Sequence, residues 1–179
     1  MKIFHSLAIT ASVALCAVLF SAPASAQKTT KLSDAEIASV AVVANQIDID
    51  AAELAQKKSK NADVLNFAKT MINDHQSVIN QASALVKKLG VTPKDNALSK
   101  QLQSGAAKTK KALNAKSGHA FDKAYVDNEV AYHKAVISTV ENRLIPEAQN
   151  GELKSLLQSV LPVLKTHLEH AEMMQKNMK

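Results

Sequence analysis

From Ile37 onward, apolar residues recur at steps of three and four: Ile37, Val40, Ala44, Ile47, Ala51 and Leu54. That spacing lays them along one side of an α-helix. Ser33 stands just before the stripe with Glu36 three residues on, the pattern of a capping box. The stripe fades in Lys57-Lys58-Ser59-Lys60-Asn61, which predicts a tight polar turn. A second helix is predicted over 62–89, with Val64, Phe67, Met71, Val78, Ala82, Leu85 and Leu89 on its apolar face. Gly90 is its C-terminal stop, and Pro93 lies just beyond. Residues 95–116 carry a weaker pattern (Leu98, Leu102, Ala106 or Lys110, Leu113) and many lysines, so a short helix across the outside is expected there.

Ser117-Gly118 opens a third long helix with Phe121, Tyr125, Tyr132, Val136, Val140 and Leu144 on its stripe, and Pro146 near its end. Asn150-Gly151 is a turn. The last helix follows, its stripe running from Leu153 through Leu157, Val160, Leu164, Leu168 and Ala171 to Met178. Pro162 sits inside it, where a missing N–H predicts a kink. No segment alternates like a strand. Four long helices with short first and last turns and a long middle crossover predict an all-α, ferritin-like, up-down-down-up four-helix bundle.

The segment ahead of the helices has a different character. Lys2 is followed by an apolar run from Leu7 to Phe20, then by Ala24-Ser25-Ala26. A positive start, a short apolar stretch and a small-x-small site make residues 1–26 a cleavable secretory signal, with Gln27 the new N-terminus. The run is shorter than the roughly 20 residues that span a bilayer. The expected location is therefore periplasmic or otherwise exported, with residues 27–179 as one helical domain and no transmembrane segment after cleavage. Cys16, the sole cysteine, leaves with the signal, and Leu15 before it argues against lipidation. The remaining chain can form neither a disulfide nor a cysteine metal site. Its formal charge falls from +6 to +5 when Lys2 is removed, because residues 1–26 hold no acid. Export makes nucleic acid an improbable partner, and the scattered lysines fit a solvated surface. There is no Gly-rich phosphate loop and no Ser-His-Asp pattern.

Projection of each helix at 100° per residue puts a few ionisable residues among the apolar ones. They are Asp50 in the first helix, His75 in the second, Glu129 and His133 in the third, and His167 in the fourth. Asp48 falls further round. Measured from one end of the bundle, all five lie about 10 to 15 residues down, a spread of roughly 8 Å at 1.5 Å per residue. Three imidazoles and two carboxylates at one depth suit iron, zinc, manganese or copper. Asp74 or Tyr125 is placed to orient a ligand. The competing reading is a structural hydrogen-bond network that fixes helix register without metal. His170, three residues after His167, and His119 project toward the surface, and Met173, Met174 and Met178 suit apolar packing at the C-terminal end.

The segments Asn45–Ala55 (NQIDIDAAELA), Val64–His75 (VLNFAKTMINDH), Phe121–Tyr125 followed by His133, and Leu161-Pro162 followed by His167 resemble an exported bacterial family catalogued as domain of unknown function 4142. The resemblance runs from about Ser33 to Met178. It implies a ferritin-like fold and export, and places the family's motif residues on His75, His133 and His167. It implies no activity. Where that family tends to carry Glu in the first helix, this chain has Asp48 and Asp50, whose side chains reach less far. A bridged di-iron centre wants Glu-x-x-His on two helices; Ile72 precedes His75 by three and Leu164 precedes His167 by three, so a standard ferroxidase centre is not expected. Three functions remain: an envelope protein holding a transition metal, with a homeostasis or stress role; a non-catalytic protein that binds an envelope partner; and a metal-dependent oxidoreductase, weakened by the missing motif.

Overall fold

In the computed structural model, residues 30–178 are described, so the signal-peptide segment lies outside the described residues. The helical unit begins at Lys31. The described residues contain helices and turns and no strand. Among the described residues, no helix is long and apolar enough to cross a membrane.

Helix α1 spans Asp34–Lys58. Its capping box is formed: the Ser33 side chain accepts from the Glu36 N–H, and the Glu36 carboxylate accepts from the Ser33 N–H at 3.0 Å. Asn61 caps α2 (Ala62–Lys88) by accepting from the Asp63 and Val64 N–H groups. Gly90 closes α2 at φ +65°, a backbone angle that favours glycine. The Val91 N–H reaches back to the Val86 carbonyl at 2.9 Å and the Gly90 N–H to Lys87 at 3.3 Å, which together form a Schellman stop.

The crossover starts against the head of α1, where the Lys94 N–H donates to the Ala35 carbonyl at 2.9 Å. It carries α3 (Ala97–Asn114), capped by Asn96. At its far end Lys58 of α1 donates to the Leu113 and Asn114 carbonyls. Helix α3 therefore runs parallel to α1 along the outside.

Helix α4 spans Gly118–Thr139 and continues through a π-helical turn, Val140–Leu144, into the short α5 (Ile145–Glu147). Pro146 has no N–H to offer, and its ring would strike the carbonyl of Asn142 in a regular helix. The widened turn just ahead of it, closed by the Ile145 N–H on the Val140 carbonyl, relieves that collision. Asn150 caps α6 (Gly151–Asn177), which runs through the solvent-exposed Pro162 without a break in the helix.

Pairings between helices fix the direction of each. Lys58 lies over the Phe121 ring and the Leu32 N–H donates to Glu147, so α1 and α4 are antiparallel. Lys88 pairs with Glu152 and Asp74 with His167, so α2 and α6 are antiparallel. Phe67 meets Tyr125 and His75 meets His133, so α2 and α4 are parallel. The order up-down-down-up follows.

The core has two apolar parts. One holds Ala52, Phe67, Met71, Phe121, Tyr125, Ala171 and Met174. The other holds Ile37, Val40, Ile137, Leu144, Leu153 and Leu157. On every long helix of the bundle, a polar residue lies between the two.

Candidate metal centre

The layer between the apolar clusters consists of Asp48 from α1, His75 from α2, Glu129 and His133 from α4, and His167 from α6, all at most 4 % exposed. The three imidazoles form a nearly equilateral triangle. Ring centroids are 5.7 Å apart for His75 and His133, 5.2 Å for His75 and His167, and 5.5 Å for His133 and His167.

Each ring is held by one nitrogen. The Asn45 amide N–H₂ donates to the Ala41 carbonyl at 2.8 Å, which turns its oxygen toward His75. The His75 Nδ1–H donates to that oxygen at 2.7 Å. The His133 Nδ1–H donates to the Glu129 backbone carbonyl, one turn back, at 3.0 Å. The His167 Nε2–H donates to the Asp74 carboxylate at 2.9 Å. These bonds fix both tautomer and orientation, as in known metal-binding histidines. They leave His75 Nε2, His133 Nε2 and His167 Nδ1 as bare lone pairs, and each of those atoms is buried without a hydrogen-bond partner. One ligand atom from each of the three histidines lies within 4.8 Å of the others.

Electrostatics keeps the lone pairs free. Burial pushes the His75 imidazole down to about 3, helped by its two histidine neighbours. Burial pushes His133 down to about 4, against the opposing pull of the Glu129 carbonyl. His167 is lowered by burial too, with Asp74 opposing. All three are therefore neutral at neutral pH, the form that binds metal.

The carboxyls move the other way. Burial raises Asp48 to about 8. Burial, and then the charge of Asp48, holds Glu129 well above the usual carboxylate range; the Asn128 amide, outside hydrogen-bonding geometry, offsets this in part. Asp48 Oδ2 is 3.5 Å from His75 Nε2 and 3.6 Å from His133 Nε2, beyond a good hydrogen bond. Asp48, Glu129 and His133 form a second group whose ligand atoms lie within 4.8 Å of one another. The Tyr125 hydroxyl, also buried and unpartnered, is raised by burial and by the Glu129 and Asp48 charges. Buried polar atoms left open in this number are costly unless a cation or water meets them.

The structure brings together four of the five residues expected from the sequence: His75, Glu129, His133 and His167. Asp50 is the correction. It is exposed and accepts from the Gln46 side chain at 2.8 Å, and Asp48 takes the inward place. The physical reason is that α1 is apolar on two sides. Val43, Ile47, Ala51 and Leu54 line a groove shared with Leu98 and Leu102 of the outer helix α3, and Asp50 sits on that side. The row Ala38, Ala41, Asn45, Asp48, Ala52, Ala55, spaced by threes and fours, is on the bundle side. Asp74, expected to orient a ligand, does hold His167. Asn45 was not anticipated; its place three residues before Asp48 on the small-residue row is the signal that marks it. His119 and His170 are exposed, with His170 edge-on to Phe67 at 5.1 Å, and Met174 and Met178 are packed in the core.

A helical bundle with one inward polar layer defines the class, and the sequence places the chain within it. The family model described as Domain of unknown function (DUF4142) matches residues 19–174, and the chain belongs to that family. No curated protein matches it. Among solved structures, the chain is similar to CopM in the Cu(II)-bound form, at 16 % identity and a TM-score of 0.62, covering 82 % of this chain and 98 % of that one. It is similar to the Ag-bound form obtained by soaking at 15 % identity and a TM-score of 0.64, covering 83 % and 98 %. The apo form gives 16 %, 0.63, 82 % and 98 %. At such identity the likeness is one of fold.

Proposed function

We propose that this chain is an exported protein that holds one transition-metal ion through His75, His133 and His167, with Asp48 as the anionic ligand and Glu129 beside it, and that it serves metal homeostasis or stress defence in the envelope. The observation that carries this reading is the set of three bare, buried imidazole nitrogens, each on a ring already fixed by its other nitrogen. Metal–nitrogen bonds of about 2.0–2.1 Å put three ligand atoms around one ion about 3.5 Å apart at most, so from separations within 4.8 Å an inward movement of up to about 0.7 Å per ring closes the set. A hydrogen-bond network alone leaves those nitrogens and the Asp48 oxygens without partners. Among iron, zinc, manganese and copper, copper(II) heads the affinity order for nitrogen and oxygen donors. The fold shared with a protein solved in Cu(II)- and Ag-bound forms agrees with that choice.

The test is elemental analysis of the protein expressed with its own leader and purified from the envelope fraction. One metal per chain and an N-terminus at Gln27 are expected. No stoichiometric metal, with no thermal stabilisation by added copper, zinc, iron or manganese, removes the metal reading. A surface-binding role is the second reading, favoured by the groove of about 920 Å³ between α1, α3 and α4 and by the lysines along α3. Partner binding that survives the combined His75→Gln, His133→Gln and His167→Gln changes in a folded protein selects that reading instead.

A further inference from the structure

On the side of the metal layer that faces the π-helical turn, the core is not filled. A cavity of about 120 Å³ lies there, bounded at one end by Val140, Leu144 and Leu157 and at the other by His75, His133 and His167. The sequence makes the space. Ala38, Ala41 and Ala44 of α1 and Ala82 of α2 occupy lining positions where a larger aliphatic residue would close the gap. Val163 of α6 also lines the cavity and is 41 % exposed, which marks where it meets the surface.

Two features point to a ligand. Away from the histidines the walls are aliphatic, and a water molecule there lacks the two to four polar partners it needs to stay. An engineered aliphatic cavity of about 150 Å³ in another protein remains dry and takes up benzene or xenon. At the opposite end the lining turns polar at once, with Asp48, His75, His133 and His167, and the bare nitrogens and both Asp48 oxygens belong to those residues. The chamber is thus apolar along its walls and opens directly onto the donor atoms of the layer.

We infer that this cavity is a binding chamber for a small uncharged apolar molecule, no larger than a six-membered carbon ring, seated against the histidine–aspartate layer. That the molecule meets a metal there rests on the proposed function; its binding in the chamber does not. The chamber then gives the metal layer a nonpolar ligand or substrate class, selected by its aliphatic walls.

Xenon-pressurised crystals of the metal-free chain, together with benzene titration followed by NMR, test the chamber. Xenon density beside Val140 and Leu157 is expected, and Ala82→Leu and Val160→Phe each weaken benzene binding at least tenfold. Two variants on different helices keep the test valid if one fails to fold. Cobalt(II) loading is the second arm: benzene shifts the visible bands of the cobalt-loaded wild type and leaves those of the Ala82→Leu form unchanged. Absent xenon density, or benzene affinity indifferent to both variants, overturns the chamber even where cobalt loads fully. Xenon and benzene binding without uptake of cobalt, copper, zinc, iron or manganese upholds the chamber and overturns the metal reading.

Discussion

Asp48→Asn in the metal-free protein should raise stability. Asp48 lies wholly inside the bundle with no hydrogen bond to either carboxyl oxygen, and its pKa stands at about 8 against an ordinary 3.8. The sign follows from proton uptake. Below pH 3.8 both folded and unfolded chains carry the proton and nothing is lost. As pH rises toward 8, the unfolded chain releases it while the folded one does not, so stability declines across that window. At pH 7 the difference of about three units corresponds to roughly 4 kcal/mol, which water entry and local relaxation trim to about 2–4 kcal/mol. Asparagine matches the protonated carboxyl in shape and carries no such penalty. For a chain of this size the gain amounts to roughly 5–15 °C in Tm. The assay is chelator-treated wild type and variant, unfolded by denaturant at half-unit steps from pH 4 to 9. The gap between the two should open from pH 4 and level off near pH 8. His75 and His133, with pKa values of about 3 and 4, lower stability as pH falls below 6.5, but they do so in both proteins and cancel in the gap. A variant less stable than wild type at pH 7, with a gap that does not widen between pH 4 and 8, overturns this expectation.

The same geometry yields further expectations. His75→Gln, His133→Gln and His167→Gln should each lower copper(II) affinity at least 100-fold by competition titration, with helicity by circular dichroism retained. Asp74→Ala, which removes the acceptor holding His167, should cost about 10- to 100-fold. Because Asp48 is protonated at neutral pH and must release that proton to bind a cation, affinity should fall about tenfold per pH unit below 8, and calorimetry in buffers of different ionisation enthalpy should count about one proton released at pH 7. Asp50→Asn, on the outer face of α1, should leave affinity unchanged within twofold.

Much of this was legible in the chain because local rules decide it. Ser33 with Glu36, Gly90, and Asn150-Gly151 mark element ends by chemistry that needs no tertiary context, and they stand where those rules put them. His75, Glu129, His133 and His167 were found because each falls among the apolar residues of its helix. Helix α1 is buried on two sides, by the bundle and by α3, and a single stripe drawn through it averages the two. That averaging turned Asp50 inward and hid Asp48 and Asn45. The π turn before Pro146 also escaped, since a reading in steps of 3.6 residues assumes the regular helix that the proline disrupts. The cavity beside the histidines depends on side chains from several helices failing to fill a volume, and no single helix encodes that.

Three imidazole nitrogens converging on one metal ion can be seen by anomalous diffraction at the copper edge, from crystals soaked in equimolar copper(II). One dominant peak is expected, bonded to His75 Nε2, His133 Nε2 and His167 Nδ1, with Asp48 closing the site. Peaks confined to surface groups such as His119 and His170, with the three inner rings unmoved and no density between them, would contradict it.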